Sequence, residues 1–383
     1  MVDHPLAGLK VLDLSRVVAG PLATQTLSDL GADVIKIESP LGDETRRFGP
    51  PFKGEWSTYF LSINRGKRSL MLDFREPQDL ALLHKLLAVA DVCVQNFRPG
   101  VAEKFQIEPE RLRGLYPSLI IASISGFGLK GEASFSSRPG YDLILQGMGG
   151  LASLCGPPDG EPFKSPASIV DILTAQNAAT GILAAVLQQR TTGEGVLLDL
   201  SMLESRIWSQ MYHASGFLNA GKEPLRAGNQ HASIVPYQTF KCDGGYLNIA
   251  CGNDEQFKRL CTALELPDLP SDPRYVTNAE RVRNRDTLLE VLSERIATFP
   301  AELLEEVLLA AKVPAGRVLS IGESLSITQH DARNFILGIS TDSDVEYRFV
   351  RTPHGFPCPP SKRMPPRLDE NRDGILNDWL GSL

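Results

Sequence analysis

Several common signatures are missing from this 383-residue chain. There is no CxxC pair: Cys93, Cys155, Cys242, Cys251, Cys261 and Cys358 are scattered, mostly in apolar or strand-like sequence. That pattern argues against a disulfide framework or a zinc site and for reduced thiols in a cytosol-like compartment. No HExxH, P-loop or GxSxG occurs, so metal hydrolysis, phosphoryl transfer and serine hydrolysis lack support. Excess positive charge is lacking as well. A net charge of −7 and a pI near 5.5 argue against a general affinity for nucleic acid or an anionic membrane, because either needs a basic face. The N-terminal MVDHPLAGLKVLDL has neither a basic region followed by an apolar run nor an Arg-rich presequence, and no 18-residue apolar span stands out. A cytoplasmic protein is expected, although a processed organellar one would have the same composition.

What is present is an ordinary soluble composition, 42% hydrophobic and 22% charged, in a chain long enough for two domains. Val11 to Leu14 reads as a strand, Pro21 to Leu30 as a helix and Asp33 to Glu38 as a second strand. Ser69 to Phe74, Asp91 to Gln95 and Leu119 to Ser125 continue the strands, with a helix over Pro77 to Val89. Such alternation predicts an α/β fold, a Rossmann-like doubly wound layer with a parallel sheet. Ser165 to Gln189 reads as a long apolar helix, followed by a strand over Val196 to Leu200 and a helix over Met202 to Leu218. Polar, irregular sequence from Lys222 to His231 marks a boundary. Beyond it, YQTFKCDGGYLNIACG predicts a hairpin turning at Asp243-Gly244-Gly245, and Asp254 to Leu264 and Arg283 to Thr298 read as helices of a smaller α+β unit. The expected division is 1–221, 222–320 and a C-terminal 321–383 that ends in a short helix.

Gly126-Phe-Gly128-Leu-Lys-Gly131 is a literal GxGxxG after a strand, but EASFSSRPG follows where a helix would have to hold a pyrophosphate. The acid ending the second strand, Glu38, also lies upstream instead of about 20 residues downstream. Dinucleotide binding is therefore not favoured. The first turn, Ser15 to Pro21, starts a helix and can present backbone N–H groups and Arg16 at the carboxyl edge of the sheet. Arg46, Arg47, Arg65, Lys67, Arg68, Arg75, Arg98 and Lys104 recur near strand ends. Each alone reads as a solvated surface charge, whereas several together would suit a polyanionic ligand. Tyr141 can simply pack, and His231, a lone histidine, reads as structural. Asp171 is the only acid in its helix. Ser168 three residues earlier suggests a capping box, and the positive end of the helix would hold Asp171 ionised, as a nucleophile must be. Cap and nucleophile are compatible.

Taken in order, LAGLKVLDLSRVVAGPLATQTLSDLGADVIKIESPLGDETR, INRGKRSLMLDF, VQNFRPGVAEKF, SISGFGLKG, RPGYDLILQGMGG, the Asp171 helix with TTGEGVLLDLSMLES, and VPAGRVLSI resemble the class III CoA-transferases, the formyl-CoA and carnitine-CoA transferase group. The resemblance runs from about Leu6 to Gly381. It implies an interlocked homodimer, each chain with a large Rossmann-like domain and a small domain, the C-terminal segment returning to the large one. It also implies coenzyme A contacts at Arg16, Val17, Ala19, Leu72, Arg75, Asn96, Phe97 and Lys104, with Tyr141 beside them, and no permanently bound cofactor: the coenzyme A thioester is a substrate. Some members carry a base at the end of the second strand, where this chain has Ser39.

The implied chemistry runs through Asp171, which takes the acyl group from a donor acyl-CoA as a mixed anhydride, then carries coenzyme A as an aspartyl thioester and passes it to an incoming acid. Relatives close a glycine-run loop over the aspartate; here the loop after Gly228 reads GNQHAS. HASIVPYQTFKCDGGYLNIACGNDEQF is most similar to the succinyl-CoA:dicarboxylate branch, which includes glutarate CoA-transferases. A second acceptor carboxylate would suit an arginine fork, for which Arg46, Arg47 and Arg226 are candidates, with His231 as an alternative donor. Two other readings remain. An α-methylacyl-CoA racemase needs a histidine where Tyr141 stands, and a tyrosine of ordinary pKa ~10 is a poor base. A non-catalytic coenzyme A-binding protein would have no use for Asp171.

Overall fold

The structure, a computed structural model, describes residues 4–98, 100–341 and 344–381. Its main feature is a six-stranded, all-parallel sheet. The strands are β1 (Lys10–Asp13), β2 (Asp33–Glu38), β3 (Arg68–Met71), β4 (Val92–Gln95), β5 (Ile120–Ser125) and β6 (Leu197–Ser201). Their spatial order is β3-β2-β1-β4-β5-β6. Parallel neighbours need crossovers, which α1 (Ala19–Asp29) and α2 (Pro77–Leu87) help supply. With helices packed on the sheet, DVIKIE, VCVQ and IIASIS are buried nearly throughout; the runs are mostly apolar, and DVIKIE also buries Lys36 and Glu38, which are ion-paired. The direction of winding reverses between β1 and β4. At that point the connections leave in opposite directions, which makes a crevice outside the carboxyl ends of the two strands.

Four later helices complete the picture on this side of the chain: α3 (Asp142–Met148), α4 (Ile169–Thr192), α5 (Met202–Trp208) and α6 (Tyr212–Ala220). The helix expected as one piece over 202–218 is two: the first ends at Trp208, and the second starts after Met211, whose φ of +47° is non-helical. In α4 an 18-residue window reaches a mean hydropathy of 1.5. The sequence therefore does hold one stretch long and apolar enough to cross a membrane, contrary to expectation. In this fold it is a core helix: Val170, Ala175, Ala178 and Ile182 are buried against α1 and the β-sheet.

The chain divides into two compact units, 1–151 with 164–223 and 331–383, and 152–163 with 224–330. In the second, β7 (Tyr237–Cys242) and β8 (Gly245–Ala250) form the expected hairpin, joined by β9 (Ala315–Arg317). Their apolar face packs with α7 (Asp254–Ala263), α8 (Arg285–Ile296) and α9 (Ala301–Ala310), a helix absent from the sequence reading, around Phe240, Leu247, Leu260, Leu292 and Leu304. Residues 152–163 belong here because Arg226 donates to the carbonyls of Ser153, Pro157 and Gly160. Back in the first unit, α10 (Arg372–Leu380) lies by β3: Arg68 pairs with Asp378 at 2.7 Å and Trp379 donates to Asp33 at 2.8 Å.

Candidate active site

Beneath the crevice lies a buried ion network. Lys67 Nζ reaches Asp13 at 2.9 Å, and Lys36 Nζ reaches Asp43 at 2.8 Å and the Ser15 carbonyl at 2.9 Å. Burial alone would push the Asp13 carboxyl up, but Lys67, Lys36 and hydrogen bonds from Ser15 and Thr24 outweigh it and hold the carboxyl down at about 2. This network fixes the turn after β1. Asn96 clasps the same turn across the strand gap, accepting from the Arg16 N–H at 2.9 Å and donating to the Arg16 carbonyl at 2.8 Å. Val17 is held at φ +67°, a costly conformation for a β-branched residue, with its N–H on Asp43 at 3.3 Å.

Two hollows open on this turn. The larger, about 720 Å³, is lined by Arg16, Arg47, Leu72, Arg75, Phe97 and Arg98 among others, with Ser39 in its wall. The smaller, about 400 Å³, is lined by Val17, Ala19, Asn96, Tyr141, Asp142 and Asp171. Arg16, Glu44, Phe97 and Arg98 line both, so the hollows adjoin. An Arg16–Glu44 ion pair of 2.7 Å sits in the shared wall. Lys104 lines neither and lies over the Phe105 ring.

Several basic residues of the sequence reading have other partners. Arg65 forks onto Asp29 with two bonds of 2.6 Å, Lys67 is in the buried network, and Arg68 pairs with Asp33 and Asp378. Arg46 is committed to Glu38 at 2.6 and 2.8 Å and stacks over Phe60, so it is no free fork; Arg47 donates to the Leu41 carbonyl. Arg226, as described, holds carbonyls of the second unit. In that unit too, Gly228 has φ +58°, and His231 accepts from the Ser233 N–H at 3.1 Å with its ring against Tyr237. The arginine that sequence reasoning left among surface charges is Arg98, which donates to the Tyr141 hydroxyl. Arg138 also lines the small hollow.

Asp171 stands in the first turn of α4. The expected capping box is not formed: Ser168 makes no side-chain cap. Asp142 caps the helix instead, its Oδ1 accepting from the N–H of Val170 at 2.8 Å and of Asp171 at 3.4 Å. Nor does the helix end keep Asp171 fully ionised at neutral pH. Burial, and then the Asp142 charge, push its carboxyl up to about 7, and among the described residues no cation offsets them. The rise from 3.8 corresponds to about 4 kcal/mol, against ~0.3–1 kcal/mol for a helix dipole at a typical terminus. Tyr59, hydrogen-bonded to Ser168, feels the same negative charge.

The GxGxxG serves packing. Only one turn of helix, Ala133–Ser136, follows it, and a Cβ on Gly126 would fall 2.5 Å from the Cα of Gly140. Both glycines are needed for Pro139-Gly140-Tyr141 to lie against the end of β5. The adjoining hollows have room for a long ligand and carry several arginines, and Asp171 stands in the wall of the smaller one.

A family model described as CoA-transferase family III matches residues 6–372. The chain belongs to CoA-transferase family III. The transferase is 37% identical over 381 residues to a succinate–glutarate CoA-transferase of Agrobacterium fabrum, covering 97% of this chain and 95% of that one. It is 43% identical over 294 residues to a succinyl-CoA:glutarate CoA-transferase of Mus musculus, 76% of this chain and 67% of the mouse protein, so it spans about two-thirds of that relative. Among solved structures, a CAIB/BAIF family protein from Brucella suis superposes with a TM-score of 0.88 at 39% identity, covering 98% of the transferase and 99% of that chain. The transferase thus uses coenzyme A thioesters as substrates.

Proposed function

We propose that the transferase moves coenzyme A from succinyl-CoA to a short dicarboxylic acid through anhydride and thioester intermediates on Asp171. The observation that carries this is the position of Asp171 in the wall of a hollow that adjoins the larger, arginine-lined one. The larger hollow takes the nucleotide end of coenzyme A, with Arg16, Arg47 and Arg75 in its wall for the phosphates; the pantetheine arm passes Phe97 toward Asp171. Lys104, outside both hollows, reaches for a phosphate from the rim. A carboxylate that titrates near 7 is half ionised at neutral pH and more nucleophilic than an ordinary one. Because Arg46 and Arg226 are already engaged, the acceptor's second carboxylate falls to Arg98 and Arg138. Succinyl-CoA and glutarate are the substrates named for the relatives above; both fit the cationic wall.

Our reading includes a homodimer in the cytoplasm, with no resident cofactor and with the loop after Gly228 as lid. Trp208, Met211 and Leu218 are 69%, 70% and 79% exposed, and α6 has no buried residue. Such an apolar face suits a second copy, as in an interlocked pair. One observation favours another reaction: an acid near pKa 7 also suits a base that removes an α-proton, as in an acyl-CoA racemase. The deciding experiment is incubation with succinyl-CoA followed by hydroxylamine or borohydride trapping and a mass-read panel of acceptor acids. Label on Asp171 and new dicarboxyl-CoA esters support the proposal. Full activity in Asp171→Ala, or solvent deuterium entering the α-carbon without transfer, would replace it.

A further inference from the structure

Asp142 and Gln146 form a clamp on the segment that carries Asp171. Both stand on α3, one turn apart, and Gln146 Nε2 donates to Asp142 Oδ2 at 2.6 Å. Gln146, only 1% exposed, accepts from the Ser165 N–H at 2.7 Å through Oε1, while its Nε2 approaches the carbonyls of Ser165 and Ala167 at 3.3 and 3.4 Å. The other Asp142 oxygen takes the N–H groups of Val170 and Asp171. Residues 165 to 171 are therefore gripped at both ends. Both Asp142 oxygens accept, so an asparagine could keep the cap through its one carbonyl oxygen but would lose the Gln146 bond; the carboxylate that does both stands next to a second acid.

The consequence follows from where charge goes during the reaction, and it rests on Asp171 being the nucleophile. An Asp171 oxygen adds to the thioester carbonyl carbon, the C–S bond breaks, and the thiolate leaves with the electron pair. Aspartate loses its negative charge and becomes an uncharged anhydride. The thiolate then adds to the aspartyl carbonyl carbon, the donor acid departs as its carboxylate, and the aspartyl thioester is again uncharged. A fixed negative charge beside Asp171 opposes the resting carboxylate at close range, and opposes the adducts less, because there the negative charge has passed to the thiolate or to the departing acid. We infer that Asp142 is a positioning residue that both orients Asp171 and favours its uncharged, acyl- and CoA-carrying states over the free carboxylate.

The raised Asp171 carboxyl agrees with this, with burial the larger cause and Asp142 the second. Ionisable groups facing the same hollow are Arg16 and Glu44, paired with each other, Arg98 on the Tyr141 hydroxyl, and Arg138. Tyr59 adjoins through Ser168. From α5, packed along α4, the lining residue is the uncharged Met202, and from β5 and α1 they are Ile124, Ser125 and Ala19. Asp142 is thus the only negative neighbour whose influence on Asp171 is evident among the described residues.

The test compares the wild-type enzyme with Asp142→Asn, which keeps an acceptor for the cap but removes the charge and the Gln146 bond, and with Gln146→Leu, which removes the same bond and leaves the charge, so that the difference between the two variants reports the charge. Two quantities are read: the acid limb of kcat/KM against pH, and the fraction of Asp171 trapped as acyl or CoA adduct at saturating succinyl-CoA. In Asp142→Asn the limb is expected at lower pH, yet above the ordinary carboxylate range because burial remains, and the trapped fraction falls several-fold. A limb displaced from about pH 7 to about pH 6 would raise the ionised fraction at pH 6 from roughly one-tenth to one-half. Gln146→Leu is expected to lose kcat with the limb in place. An unmoved limb and unchanged trapping in Asp142→Asn overturn the inference, and Asp142→Ser gives the same reading if the asparagine variant does not fold. Should wild-type Asp171 never be trapped while Asp171→Ala stays active, the nucleophile itself is refuted, a result distinct from a trapped wild type that is indifferent to Asp142.

Discussion

Replacing Asp171 by asparagine should abolish transfer and, above neutral pH, make the protein more stable. The folded state holds this carboxyl near 7 against 3.8 for an unperturbed aspartate. Between those values the unfolded chain has lost the proton and the folded chain still binds it, so unfolding releases a proton and wild-type stability falls as pH rises. At ~1.36 kcal/mol per unit of pKa the full window amounts to about 4 kcal/mol, a ceiling that solvent access to a half-buried group reduces to about 2. Asparagine removes the ionisation and so the decline. With an unfolding entropy of about 2.1 cal/mol/K per residue, a chain of 383 residues gains roughly 1 °C per kcal/mol. The expected result is equal stability of the two proteins near pH 4 and a lead for Asp171→Asn of about 2–4 °C at pH 8, followed by thermal and urea melts across pH. A gap that does not depend on pH, or an asparagine variant less stable at pH 8, would refute the buried, charge-opposed carboxyl.

Other consequences can be measured directly. Asp13→Asn leaves Lys67 and Lys36 short of a buried counter-charge and should cost about 3–5 kcal/mol in urea unfolding at pH 7; because Asp13 titrates at about 2, its contribution is lost as pH falls toward that value, and the two proteins should converge there. Gly126→Ala drives a methyl group into Gly140, for an expected loss of about 1–3 kcal/mol and a fall in kcat as the loop bearing Tyr141 is displaced, seen by melts and steady-state kinetics. Arg98→Ala removes a cation shared by the two hollows; KM for the acceptor acid should rise by about 1.5–3 kcal/mol, ten- to a hundredfold, whereas an unchanged KM would exclude Arg98 from acceptor binding.

Much of the sheet was legible because parallel strands buried on both faces are short, mostly apolar runs, and the helix around Asp171 because it is long, rich in small and apolar residues and free of proline. Pairing was not. Lys67 and Arg65 look like the solvated lysines and arginines around them, and only the fold brings Asp13 and Asp29 to them. The cap on α4 misled for the same reason: Ser168 and Asp171 have the right spacing, but the acceptor that fills the role comes from Asp142, 28 residues upstream. The sole signal for it was an acid directly after Tyr141. Helix α9 could have been read, since AELLEEVLLA repeats its leucines at helical spacing. The break between Trp208 and Tyr212 carries no Gly or Pro that would have signalled it.

The position of α10 has a bearing on how the protein is made. Residues 372 to 380 dock beside β3, where Asp378, Trp379 and Asn371 engage Arg68, Asp33 and Ser69. A ribosome will thus have released the whole of 152–163 and 224–330, one compact unit, before the strands at the start of the chain receive their last partner. The early strands must wait, and a chain interrupted before residue 369 would lack both the Asp369 and Asn371 contacts to Ser69 and Met71 and the Arg68–Asp378 pair at the edge of its largest sheet.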